Sequence, residues 1–379
     1  MNVRFGRRWM AFGALAAWIA AGAAGSISQA LAARRSIYPG QHWSWKAPEE
    51  AGFSRHALHD FSQRVGGTGC LVHGGEMIYA WGDVTFRGDV ASACKPIYAH
   101  LVLQAVQDGR IESLDEPVMR WVPELAELNA DLDHKDRGIT FRHLLRQNSG
   151  YGFQERPGAA FAYNDFATGL LMWTLFYRVH DLPPARYDEL LNGRELGAVL
   201  GFEDRPTATH PNSPRGRIRI SARDLARFML LYLRGGVWNG QRLMRADLFR
   251  EALGGGLPHA LPRTAGVDAE MLPPVWKSFG GGKDEKNHLG CLKNYWWFNQ
   301  ITPDGTRLLA DAPPGTFFGS GYGGRFAMVA IPERDLVAVW LGVYPDLDKS
   351  AWSPFSEVGR FKVNELLREL LAARTEAAR

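Results

Sequence analysis

Short apolar runs stand toward both ends of the chain, and apolar positions recur at helical spacing between and after them. Thr68 to Trp81 reads TGCLVHGGEMIYAW, two short apolar runs on either side of Gly74-Gly75. That pair is a two-residue hairpin signal, so the segment predicts two antiparallel strands. Near the other end, Arg325 to Val343 reads RFAMVAIPERDLVAVWLGV, which predicts a strand, a turn over Pro332–Asp335 and a second strand. Ser356 to Ala373 then carries Phe361, Val363, Leu366, Leu367, Leu370 and Leu371 at helical spacing.

The middle reads differently. Ser92 to about Gln107 is apolar nearly all round, which predicts a buried helix, ended by Asp108-Gly109. Thr140 to Leu145 and Phe166 to about Val179 predict two more helices. Ser221-Ala222-Arg223-Asp224 reads as a capping box ahead of LARFMLLYL, and Gly235-Gly236 stops that helix. Gly254 to Asn294, rich in Gly, Pro and charge, reads as long surface loops. The fold class predicted is α/β: an antiparallel sheet built from residues 45–91 and 290–372, flanked by helices, with a mostly helical region at 92–289 inserted. Residues 33–372 form one unit in this reading, and 373–379 a tail.

The first thirty-odd residues read as an export signal rather than as fold. Arg4, Arg7 and Arg8 precede an apolar run from Trp9 to about Gly25, and Ala30-Leu31-Ala32 gives a cleavage pattern before Ala33. This predicts a signal over 1–32 and a periplasmic or secreted protein. A membrane anchor is the alternative, and Arg7-Arg8 hints at twin-arginine export. With 44 Lys plus Arg against 40 Asp plus Glu and no long basic run, nucleic acid is disfavoured as a partner. Three cysteines, Cys70, Cys94 and Cys291, exclude a disulfide scaffold and allow at most one bridge. No Cys/His cluster has zinc spacing, so no metal and no cofactor is called for.

Three segments could carry chemistry. Ser92-Ala93-Cys94-Lys95 is an S-x-x-K; on a helix the two side chains share a face, so an amine can reach the hydroxyl. Pro96 confines the helix start to this point, leaving Ser92 among free N–H groups that can stabilise an oxyanion. Burial of Lys95 is expected to push its pKa down, toward a neutral amine able to take a proton. Cys94, one residue away, should face the core as a small hydrophobe. Tyr163, at the end of a polar loop before an apolar helix, could present its hydroxyl to a cleft or be a core tyrosine. Phe317-Phe318-Gly319-Ser320-Gly321-Tyr322-Gly323-Gly324-Arg325, entering a strand, lets a substrate or another backbone approach closely.

Taken together, Ser92-x-x-Lys95, a Tyr163 triplet and a small-residue triplet entering a strand resemble the serine β-lactamases and penicillin-recognising enzymes. The nearest branch resembles class C β-lactamases with their esterase, D-aminopeptidase and 6-aminohexanoate-dimer hydrolase relatives. The segments QDGRIESLDEPVMRWVPEL, ITFRHLLRQNSGYGF, ISARDLARFMLLYLRGGVWNGQRLM and VAIPERDLVAVWLG agree with it. The resemblance spans roughly residues 45–372. It implies a β-lactamase/transpeptidase-like fold, Ser92 as acylated nucleophile, and Lys95 and Tyr163 sharing acid and base work. It also implies an oxyanion hole from the backbone N–H groups of Ser92 and Tyr322.

Two positions depart from that pattern. Asp165 stands where the branch usually has Asn, and Gly319 where it usually has Lys or His. Asp165, Gly319, Ser320, Gly321 and Arg325 are the expected substrate-binding residues, and Arg325 or a polar group from the 280–290 loop could stand in for the missing cation. The function expected is a serine hydrolase of small-molecule ester, amide or peptide substrates. A β-lactamase or D,D-peptidase, and a binding protein of the same fold, are the alternatives.

Overall fold

The computed structural model describes residues 37–208, 218–273, 291–343 and 357–375; the expected signal segment lies outside them. The first half holds α1 (Arg55–Val65), β1 (Thr68–His73), β2 (Glu76–Trp81), β3 (Gly88–Asp89), α2 (Lys95–Gln107), α3 (Phe141–Leu145) and α4 (Asp165–Trp173). Next come α5 (Tyr187–Asn192), α6 (Gly197–Leu200), β4 (Arg219–Ile220), α7 (Ala222–Leu233), β5 (Val237–Trp238), β6 (Gln241–Arg242) and α8 (Ala246–Ala252). The last part holds β7 (Leu292–Lys293), β8 (Trp296–Phe298), β9 (Phe317–Gly321), β10 (Phe326–Ile331), β11 (Leu336–Leu341) and α9 (Glu357–Ala372).

Seven strands form one antiparallel sheet in the order β2-β1-β11-β10-β9-β8-β7. Both chain ends therefore contribute to it, as the short apolar runs predict. Side chains on a strand alternate between faces, and here both faces are dry. Cys70, Val72, Met328, Ala330, Val337 and Val339 join the core with α2 and α7. Leu71, Ala327, Val329, Ala338 and Trp340 join the one beneath α1 and α9. This is why β11 reads as a continuous apolar run: all six of its residues are buried.

Several boundaries differ from expectation. The serine helix begins as a 3-10 turn, Ala91–Cys94, and becomes α-helical only at Lys95. Pro96 sits in the first α-turn, where its missing N–H leaves nothing unpaired. The capping box of α7 is half formed. Ser221 Oγ accepts the Asp224 N–H at 3.2 Å, but the Asp224 carboxylate accepts from the N–H groups of Glu203 and Asp204 instead. Residues 254–273 are not a free surface loop. They bury Leu257 and Leu272 and pair at Arg263 and Asp268 with Phe161 and Phe153. The start of the expected tail is also part of the fold, because Ser54 N–H donates to Ala373 O and Thr375 N–H to Gly52 O.

Candidate active site

Ser92, partly exposed, stands at the mouth of the buried helix α2. The turn before it is strained: Ala91 has φ +49°, a left-handed conformation that costs a residue with a Cβ. Asp89 Oδ1 holds it there by accepting the Ala91 N–H at 2.8 Å. Lys95 follows one turn later, 5% exposed, and its ammonium donates to the Tyr163 hydroxyl at 2.9 Å. The Tyr163 hydroxyl is hydrogen-bonded in turn to the Ser92 side chain. S-x-x-K and the distant tyrosine thus form one contiguous chain of contacts.

Tyr163 is placed by the residues on either side of it. Asn164 caps α4, its Oδ1 accepting the Ala167 N–H at 2.7 Å, so Tyr163 is the last residue before the cap. Phe161 N–H donates to Pro262 O and Thr264 N–H to Phe161 O, both within 2.9 Å, so residues 262–264 flank the approach to the tyrosine.

Asp165 is not an isolated acid facing the substrate. Its Oδ1 lies 2.6 Å from Lys95 Nζ. This overturns the expectation of a lowered lysine pKa. Burial does favour the neutral amine, but the Asp165 carboxylate, aided by the Tyr163 and Tyr295 hydroxyls, outweighs it and holds Lys95 well above its ordinary range. Burial likewise raises the Tyr163 pKa against the opposing pull of Lys95. At neutral pH Lys95 is therefore an ammonium and Tyr163 a neutral phenol.

The small-residue triplet lies against the serine turn. A Cβ on Gly321 would stand 2.9 Å from Ser92 N, 2.8 Å from Ala93 N and 2.7 Å from Val90 O. Only glycine lets β9 close this far onto the nucleophile's backbone. Ser320 is partly exposed, and Tyr322, 45% exposed, follows with φ +50°. On the side of β8, the ladder pairs only Phe317 and Phe318 of β9.

At Gly319 a side chain could enter only if the flexible end of Met328 moved aside. A Cβ there would meet Met328 Cε at 2.8 Å, Ala93 O at 3.1 Å and Pro96 Cγ at 3.1 Å. Met328 pairs with Gly319 across the ladder and fills the space its side chain would need. Arg325 enters β10 beside Tyr322, its guanidinium 5.5 Å from the centre of the Phe326 ring. Cys94 faces inward as expected, its Sγ donating to Ala91 O at 3.0 Å. All three cysteines are unbridged thiols.

Two functional neighbours were not picked out from the sequence. Gln147 donates an Nε2–H to the Tyr295 hydroxyl at 3.2 Å, and the Tyr295 ring centre lies 5.9 Å from Lys95 Nζ. Asn294-Tyr295, between the short strands β7 and β8, is the only local trace of a hairpin tip reaching this site. Among the described residues no group of His, Cys, Asp and Glu is arranged to hold a metal ion.

Comparison with known proteins bears on the family and the fold. The Beta-lactamase family model matches residues 55–342, more than half the chain. Esterase EstB of Burkholderia gladioli is 40% identical over 82 residues, which are 22% of this chain and only 20% of that esterase. A solved structure from Bacillus anthracis, named for 6-aminohexanoate-dimer hydrolase, superposes with a TM-score of 0.55 at 14% identity, covering 88% of each chain. A class C β-lactamase superposes with a TM-score of 0.53 at 14% identity, over 86% of this chain and 95% of its own. At such identities the structures speak for the fold, and the sequence match speaks for the family. The chain belongs to the Beta-lactamase family, a family of serine hydrolases.

Proposed function

We propose that this protein hydrolyses small neutral esters or amides through an acyl-enzyme on Ser92. The single observation that carries the reading is the contact chain from Ser92 through Tyr163 and Lys95 to Asp165. Attack of Ser92 Oγ on a carbonyl carbon requires its proton to leave. Tyr163 is a phenol and Lys95 an ammonium, so neither is a vacant base in the resting state. Asp165 is the group in the chain with an open proton site. As Oγ bonds to carbon, its proton passes to Tyr163 Oη, the phenol proton to Lys95, and a lysine proton to Asp165. The oxyanion then forms beside a cationic Lys95 with no net change in charge. Collapse of the tetrahedral adduct returns the proton to the leaving alkoxide or amine, and water repeats the sequence to release the acid. The closeness of Gly321 to Ser92 N supports an oxyanion site at the Ser92 and Tyr322 N–H groups.

The charge inventory favours neutral substrates. Asp165 cancels Lys95, and Gly319, whose side-chain space Met328 occupies, supplies no cation. A carboxylate-bearing β-lactam or D-Ala-D-Ala peptide would forgo charge-assisted bonds worth ~1.5–3 kcal/mol each. Purified protein should turn over p-nitrophenyl butyrate with kcat/KM at least ~10² above that for a chromogenic cephalosporin, the factor that about 3 kcal/mol gives. Equal rates would reverse the substrate assignment in favour of a β-lactamase or D,D-peptidase. No turnover of either would favour the binding-protein alternative. The reading also includes export, supported by the arginines and apolar run at residues 4–25. Mature protein from an exporting host should begin near Ala33, and an intact Met1 in the membrane fraction would speak for an anchor.

A further inference from the structure

Tyr163 lies between two residues that are gripped by a third. Gln147 O accepts the Ala162 N–H at 2.8 Å, and Gln147 Oε1 accepts the Asn164 N–H, also at 2.8 Å. One side chain and its own carbonyl thus fix the backbone on both sides of the tyrosine. Gln147 does this from φ +56°, a conformation that a residue with a long side chain adopts only when its surroundings impose it.

What imposes it lies across the site. The Gln147 amide, 1% exposed, donates to Leu144 O at 3.0 Å and to the Tyr295 hydroxyl at 3.2 Å. Tyr295 is itself 2% exposed and left-handed, at φ +64°, and Asn294 before it is at φ +50°. Consecutive left-handed residues are the signature of a tight hairpin tip, but a bulky aromatic is a poor choice for one. Its hydroxyl also donates to Leu144 O at 3.3 Å and lies 3.3 Å from Thr168 Oγ1 on α4. One buried phenol therefore joins the β7–β8 tip, the end of α3, Gln147 and α4, while its ring lines the site near Lys95.

We propose that Gln147 and Tyr295 form a positioning clamp that holds Tyr163 in line between Ser92 and Lys95. It rests on Ser92 and Tyr163 acting as described above. The clamp touches no substrate. It acts by keeping the Tyr163 hydroxyl within reach of both its partners, and small misplacements of such a group carry a large rate penalty.

The test compares wild type with Tyr295→Phe, Gln147→Met and the double variant. It follows Ser92 labelling by a fluorophosphonate, the kcat and KM for p-nitrophenyl butyrate, and thermal stability. The clamp predicts that Tyr295→Phe, which keeps the ring, lowers kcat and the labelling rate together by about ten-fold, with KM within about two-fold. Gln147→Met should lower them by at least as much, and the double variant by little more than Gln147→Met alone, because the two act as one unit. Tyr295→Phe with a lower melting temperature but wild-type kcat and labelling would overturn the clamp and leave a purely structural phenol. Multiplicative losses in the double variant would overturn it as well. If Tyr295→Phe does not fold, Gln147→Met alone decides, by whether kcat falls at constant KM. Wild-type protein that takes no label at Ser92 would overturn the underlying reading and the clamp with it.

Discussion

Lys95 and Asp165 form an ion pair of 2.6 Å at the base of the nucleophile's contact chain, with the lysine side chain buried and the carboxylate 29% exposed. In the branch that this sequence resembles, an asparagine usually stands where Asp165 does. The exchange alters the charge state of the lysine while leaving the serine and tyrosine in place. Asp165→Asn should therefore be more than a substrate-pocket change. With the carboxylate gone, burial dominates and the Lys95 pKa falls. At pH 7 kcat should drop on the order of 10²-fold for want of the proton acceptor. Activity should recover as pH rises and Lys95 loses its proton, giving an ascending alkaline limb displaced from that of wild type. An unchanged pH profile and kcat would show that Asp165 takes no part in the proton path.

Lys95→Ala and Tyr163→Phe should each lower kcat by on the order of 10²–10⁴. Both groups lie on one chain of contacts, so the double variant should lose little beyond the worse single one. Steady-state kinetics on the three variants checks this, and fully multiplicative losses would mean two independent roles.

Gly319 and Gly321 should respond differently to added bulk. Gly319→Lys must displace the flexible end of Met328 and crowds Ala93 O and Pro96, so it should destabilise by about 1–3 kcal/mol and give no gain in β-lactam acylation. Gly321→Ala pushes β9 away from Ser92 N and should lower kcat on the order of 10²-fold through the oxyanion site. Denaturant melts and cephalosporin acylation assays distinguish the two, and a β-lactam-active, stable Gly319→Lys would contradict the packing argument.

Acid stability should depend on His100. Its ring is buried between the Tyr232 hydroxyl and Glu195 O, and burial lowers its pKa from 6.5 to about 4. Between those values the unfolded chain binds a proton that the folded chain refuses. The penalty is absent above pH 6.5, grows as pH falls, and is fully present below about pH 4, where it is on the order of 3 kcal/mol. His100→Gln should flatten the fall in unfolding free energy between pH 6.5 and 4 by about that amount. The same slope in both proteins would rule His100 out as the acid-sensitive group.

The sequence was most legible where a single physical rule governs a segment. Gly74-Gly75 and the short apolar runs around Cys70 and Val339 read as a hairpin and an antiparallel sheet because run length and turn chemistry are local. Ser92 and Lys95 were legible because helical spacing is local too. The charge state of Lys95 was not, since it depends on Asp165, seventy residues away, and burial alone points in the opposite direction. Gln147 and Tyr295 were hidden for a similar reason. No local motif marks either residue, and their left-handed conformations are imposed by partners in distant segments. The closed space at Gly319 belongs to Met328 on the next strand, which only the register brings opposite it.

The most direct measurement of the central claim is the site of covalent labelling by a fluorophosphonate, read by peptide mass spectrometry. The expected label is on Ser92 in wild type and in Cys94→Ala, and absent in Ser92→Ala. A label that persists in Ser92→Ala, or that disappears with Cys94→Ala, would contradict the assignment of Ser92 as nucleophile.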